Sequence, residues 1–160
     1  MAEIILKTGH KVLIDDEDLE KVSGYGWSIH KPNAGNLEYA RTDIRINGKR
    51  KLLYLHRFIM NAPKGTKIDH KNHNGLDNRK ENLRLATSAQ NTRNSLRRRD
   101  SKTGFKGVYR QDNRYIAHIT VNYKQRKLGS FTSAEDAAKA YDQSARTEHG
   151  EFALLNFTET

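Results

Sequence analysis

Between Pro63 and Asn94 the chain carries few apolar side chains and many Asn, Asp, Lys and Arg, so this stretch cannot bury a core of its own. It must lean on its neighbours, and the apolar pattern on its N-terminal side is short and strand-like. Ile4, Ile5, Leu6 and Val12, Leu13, Ile14 flank a Thr8-Gly9 turn signal. A second hairpin follows: Ile44-Arg45-Ile46 alternates, Asn47-Gly48 supplies the two positive-φ positions of a type I′ turn, and Leu52, Leu53 and Leu55 return. Asp16 to Val22 reads as one or two acidic helical turns ahead of Gly24, Gly26 and Trp27.

With 160 residues, 35% of them hydrophobic, the length suits one ordinary domain or two small ones and excludes a large enzyme core. Any catalysis must come from a compact motif. The absence of cysteine excludes disulfides, thiol catalysis and Cys-rich zinc sites, and it fits a reducing compartment. No apolar run approaches the ~20 residues of a membrane span, and Glu3 stands where a signal peptide would be basic. The expectation is a soluble, intracellular protein with no membrane partner. Net charge is +10, and its distribution is uneven: residues 61–100 hold ten cations against four acids, +6 of the total. A charge run is ordinarily a solvated face, but a polyanion gains counterion-release entropy from it.

That basic segment also carries a chemical constellation. Lys67-Ile68-Asp69-His70 reads as a strand, Lys71 to Leu76 as an irregular loop, and Asp77 to Asn82 as a capped helical turn. Leu83 to Thr87 alternates as a second strand, and Ser88 caps a helix through Asn91 and Asn94. Phosphodiester hydrolysis needs a general base with a pKa near neutrality, which His70 supplies, and a cation to stabilise charge on phosphate. Carboxylate and amide oxygens are hard ligands suited to Mg²⁺ or Mn²⁺. A lone Asp-His pair is ordinarily a solvated turn; here it comes with Asn82 and Asn91.

Asp69-His70, Asn82 and Asn91, with Leu55-His56-Arg57, Gly75-Leu76-Asp77-Asn78-Arg79 and Glu81-Asn82-Leu83-Arg84 around them, resemble the phage and intron-associated HNH endonucleases. The resemblance implies His70 as general base facing the attacking water, and Asn82 as the amide that holds its imidazole. It implies Asp69 and Asn91 as ligands of one Mg²⁺ or Mn²⁺ per site. His56 with Arg57 reads equally as a packed residue beneath the site or as a phosphate contact; His73 reads as solvated, and His10 and His30 have no assigned role.

Residues 95–103 read as a basic linker, with Arg93, Arg97, Arg98 and Arg99 as phosphate or minor-groove contacts, against the alternative of a solvated tether. Beyond it come strands at Gly107–Arg110, Arg114–Val121 and Gln125–Phe131 and a helix from Ala134 to about His149, started by Ser133 and Asp136. Gly107-Val108, Leu128-Gly129, Phe131, Ala134 to Asp142 and Asn156-Phe157 resemble the Apetala2-type DNA-binding domain, known also from phage HNH nucleases. Strand alternation turns Ala117, Ile119 and Val121 toward the helix. Tyr109, Gln111, Arg114, His118, Thr120, Gln125 and Lys127 then share the opposite face, where the resemblance implies contact with the major groove. Gln111 and Gln125 suit adenine edges and Arg114 suits guanine or phosphate, with backbone contact as the plain alternative for each.

The expected fold class is α+β. N-terminal β-hairpins and a ββα-metal (HNH) nuclease motif occupy 1–94, with the core motif at 55–94; the linker occupies 95–103, and a three-stranded antiparallel sheet on one helix occupies 104–160. The expected function is a metal-dependent, site-preferring DNA endonuclease of the nicking or homing type. It would act on double-stranded DNA as a monomer or weak dimer, with no small-molecule cofactor, in a bacterial cytoplasm or phage-infected cell. The alternatives are a non-catalytic DNA-binding regulator with a relic motif and an RNA-binding protein.

Overall fold

A computed structural model describes residues 1–32, 37–96 and 101–157; Arg97, Arg98 and Arg99 lie outside the described residues. Contacts divide the chain into two units, Met1–Ser88 and Ala89–Thr160. Both mix small antiparallel sheets with few helices, an α+β architecture. Among the described residues no helix is long and apolar enough to cross a membrane.

In the first unit, β1 (Ala2–Ile5) pairs with β2 (Lys11–Ile14) across the Thr8-Gly9 turn. The acidic stretch forms a 3-10 turn at Asp16–Asp18 that runs into α1 (Leu19–Ser23). A three-stranded sheet follows: β3 (Ser28–His30), β4 (Tyr39–Ile46) and β5 (Lys49–Tyr54). Asn47 and Gly48 take φ 51° and 74°, the two positive angles of the expected turn. Leu55 does not continue the strand as its apolar neighbours suggested. It opens α2 (Leu55–Ile59) and is fully buried, because Leu55 and Ile59, one helical turn apart, both face the core.

That core joins Leu6, Val12, Ile14, Val22, Trp27, Ala40, Leu55, Ile59 and Leu83. Leu83 starts β7 (Leu83–Ala86), which pairs with β6 (Lys67–His70), so the polar segment hangs on the hairpins through a single small sheet. Its loop is also stitched to β2: the Leu13 amide donates to Leu76 and the Asn78 amide to Leu13. Gly75 lets the same loop lie against the start of β4, since a Cβ there would lie 2.3 Å from the Glu38 carbonyl and 2.7 Å from the Tyr39 ring.

The second unit contains α3 (Ser88–Arg93) from Ala89 onward, six residues ahead of the expected boundary. The Lys106 ammonium donates to the carbonyls of Arg93 and Ser95, tying the end of α3 to this unit. β8 (Val108–Gln111), β9 (Arg114–Val121) and β10 (Lys124–Phe131) form an antiparallel sheet with β9 in the middle. It packs on α4 (Ala134–His149) through Val108, Ala117 and Ile119 against Ala137, Ala138, Tyr141 and Ala145. The alanines keep helix and sheet close. Ser133 caps α4 by accepting from the Asp136 amide, and its hydroxyl donates to the Asp136 carboxylate.

Candidate active site and nucleic-acid face

Asp69 and His70 end β6, and alternation sends them to opposite sides of the strand. Asp69 faces its cross-strand partner Arg84, whose Nε and Nη2 both donate to Asp69 Oδ2, at 2.8 and 2.7 Å. Both side chains are nearly buried, and the two donations to Oδ2 offset part of the cost of keeping the carboxylate inside.

His70 faces a set of rings. Its imidazole meets His56 edge-on at 5.2 Å and lies tilted on Tyr39 at 5.7 Å, while Tyr54 stacks on His56 at 5.4 Å. The expectation of an imidazole aimed at water is corrected here: His70 is 5% exposed and its Nε2 is buried. Aromatic side chains from β4, β5 and α2 close over it, a long-range packing that local sequence does not reveal. Burial pushes the His70 pKa down, opposed by the Asn78 side chain and by the charges of Asp69 and Asp77. Burial also pushes His56 down, to about 3, helped by its neighbour His70. The Tyr39 phenol is raised by burial and by the Asp69 charge.

Asn82 does not hold the imidazole. Its Oδ1 accepts from the Asn72 amide at 3.0 Å and its Nδ2 donates to the Asp77 carbonyl at 2.8 Å, so both ends of the amide brace the loop between β6 and β7. The amide beside His70 is Asn78, fully buried and unassigned in the sequence reading. Asp77 is not a helix cap: it is 1% exposed and accepts from Arg79 Nε and Nη2 and from Asn72 Nδ2. Arg57 donates to the carbonyls of Thr66, Ala62 and Pro63, which makes it a loop brace rather than a phosphate contact. His56 resolves the same way, as a packed ring beneath the site. Asn91 lies on α3, in the second unit.

Residues 54–93, from the end of β5 through α3, match the HNH endonuclease family. This segment, a quarter of the chain, is similar to an HNH endonuclease motif. An uncharacterized HNH endonuclease of Acanthamoeba polyphaga mimivirus is 34% identical over 111 residues, which are 65% of this chain and 57% of that protein. The chain thus spans little more than half the length of that curated relative. A solved structure, of DNA binding and cleavage by the HNH homing endonuclease I-HmuI, aligns over 93% of this chain and 91% of its own at 20% identity, with a TM-score of 0.34. Within the HNH segment, Asp69, His70 and Asn82 are buried on the β6–β7 scaffold, and the rings that enclose His70 come partly from Tyr39, outside it.

In the second unit the register pairs Gln111 with Arg114, Tyr109 with Ile116, His118 with Lys127 and Thr120 with Gln125. All seven sheet residues expected to meet DNA therefore share one face. That face is not wholly open: Ile116, between Tyr109 and Ser130, is 3% exposed. Tyr109 meets His118 edge-on at 5.3 Å, and burial lowers the His118 pKa. Arg114 donates through Nε and Nη2 to Ser130, which fixes its guanidinium across the sheet.

Proposed function

We propose that the chain is a metal-dependent DNA endonuclease that cuts one strand per site, with His70 as general base. The carrying observation is the buried His70 imidazole, adjacent to Asp69 within the HNH segment and depressed in pKa by its surroundings. A depressed pKa keeps the ring neutral, and so able to accept a proton from water, at pH values where an ordinary histidine is already charged. The ring nitrogen must become reachable when DNA binds, as catalytic contacts often tighten only in the substrate complex.

The donor chemistry fits a divalent cation. Asp69 offers carboxylate oxygen and Asn91 amide oxygen, both hard donors, and Mg²⁺ keeps several of its own waters. Among the described residues no group of three or more His, Cys, Asp or Glu gathers to hold a metal. Asp69 would offer its carboxylate to Mg²⁺ or Mn²⁺ in exchange for Arg84, and the ion when bound would offset charge on the phosphate and the departing oxygen; Asn91 is the second ligand that the family resemblance implies. Asn82 acts as a positioning residue by bracing the loop that carries Asn78. The exposed face of β8–β10, with Arg93 and the arginines at 97–99, supplies binding to double-stranded DNA, in the manner of an Apetala2-type sheet.

A non-catalytic DNA-binding regulator is the second reading, favoured by the ion pair that Arg84 makes with Asp69. Supercoiled plasmid with Mg²⁺ separates the two. The intact protein should produce nicked circles and His70→Ala should lose at least ~100-fold in rate with duplex binding unchanged. The acid limb of the rate should lie below pH 6.5. Plasmid left intact across varied targets would favour the regulator.

A further inference from the structure

The β4–β5 hairpin belongs to the first unit; its root supplies the Tyr39 and Tyr54 rings, and its outer half has no part in the chemistry above. Every residue from Arg45 to Leu52 is exposed, so its outer half stands clear of the core. Residues 41–51 carry five cations, Arg41, Arg45, Lys49, Arg50 and Lys51, against one carboxylate, Asp43. Register makes the charge costly: Arg45 lies directly opposite Arg50, and like charges at that position oppose strand pairing. A two-stranded ribbon has little stability to spare, and the one carboxylate, Asp43, pairs with Arg50 and leaves Arg45 uncompensated on this face by any carboxylate of the hairpin. A polyanion laid across both guanidinium groups would reverse the repulsion.

The pairing also says where such a polyanion would lead. Arg41 is opposite Tyr54, Asp43 opposite Leu52 and Arg45 opposite Arg50, so these six share one face, and Tyr39, two residues before Arg41, shares it too. Tyr39 lies against His70, and Tyr54 stacks on His56. The opposite face is turned inward at its root, where Thr42 is buried and Leu53 packs on the core. The cationic row therefore begins at the rings around His70 and extends ~20 Å along β4 to Arg45, with same-face positions every ~7 Å.

We propose that this face of β4–β5 is a phosphate-binding arm, on which Arg41, Arg45 and Arg50 hold the backbone of duplex DNA in line with His70. The identity of the polyanion rests on the nuclease reading. Asp43 tempers the arm: its Oδ2 accepts from Arg50 Nη2 at 2.5 Å, so DNA must compete for that guanidinium.

The test uses the full chain and a generic duplex in EDTA, with affinity followed by fluorescence anisotropy over a salt series. Arg45→Gln with Arg50→Gln should weaken binding about tenfold or more at low salt, equally for unrelated sequences, and reduce the slope of log K against log salt by about 2. Asp43→Asn should bind more tightly. Lys7→Gln with Lys64→Gln, which removes the same charge elsewhere, should keep the slope. Melting of the arginine variant should be unchanged or higher, because a repulsion has gone. An unchanged slope, or one that falls equally in the lysine control, overturns the arm; if the arginine variant misfolds, failure of Asp43→Asn to tighten binding does so. Plasmid cleavage is scored separately. Loss of the slope effect with cutting intact removes the arm alone, and no cutting with the slope effect intact removes the nuclease reading alone.

Discussion

The two units treat their polar groups in opposite ways. The first encloses His70 and His56 among aromatic rings and buries Asn78, Asn82 and an Asp69–Arg84 pair around the same strands, while the second spreads Gln111, Arg114, Thr120, Gln125 and Lys127 over an exposed sheet face and keeps alanine beneath. Burial controls protonation and orientation, which proton transfer requires. Exposure provides reach, which groove contact requires. The second unit's buried carboxylate, Asp142, serves structure: it accepts from the amides of Asn156 and Phe157 and from the Asn156 side chain, while Asn156 also accepts from the Lys106 amide.

That contrast can be broken at several points. The largest effect is expected at Asp142→Ala, which orphans three donors and should cost the second unit about 5 kcal/mol in denaturant unfolding, with the first unit unaffected. Equal loss in both units would show that their stabilities are not separate.

Acid should act next, and first on the ring-enclosed site. His56 is held near 3 when folded against an ordinary 6.5, so between those values the unfolded chain binds the extra proton and stability falls as pH drops. The full contribution, present above pH 6.5, is ~5 kcal/mol at most, and His56→Phe should flatten the pH dependence of melting. A variant with the same acid sensitivity as the parent would place the effect elsewhere.

A smaller loss is expected at Gly107→Ala. Gly107 has φ 74° and a Cβ there would lie 2.0 Å from Tyr141 Cδ2, so about 3 kcal/mol should be lost from the second unit by thermal melting. The smallest effect has the opposite sign. The β9–β10 turn places Asn122 and Tyr123 at φ 49° and 64°, where the β4–β5 turn has Asn47 and Gly48. Tyr123 is 87% exposed, so little packing offsets its backbone strain, and Tyr123→Gly should stabilise by about 1 kcal/mol. A destabilised variant would mean that the tyrosine packs in solution.

Local features were the legible ones. Asn47-Gly48 announced its hairpin, Ser133 its helix, and alternation sorted β9 into two faces. Asp69-His70 was legible as the end of a strand, because Lys67 to His70 reads as one and β6 covers those residues. Asn82 was misread because its partners, Asn72 and Asp77, lie within an irregular loop whose path no periodicity encodes. Tyr39 was invisible for a related reason: it reaches His70 across thirty-one residues of chain by ring packing between two separate sheets. Asn78 stood in a quoted motif, and its signal was present in the composition of that loop, an amide set among Asp77 and Arg79. The end of β5 shows the limit of apolar pattern, since Leu55 suits a strand and a helix equally until Ile59 is counted with it.

The chain's single tryptophan, Trp27, is 8% exposed in the first unit, with its indole donating to the Val22 carbonyl and its ring beside Tyr25 and Phe58. Its emission is therefore a built-in spectroscopic label for one half of the molecule. A red shift during denaturation dates the opening of the half that holds His70, while far-ultraviolet dichroism, dominated by the long α4 helix, dates the other. The two halves can be timed in a single cuvette without attaching a dye.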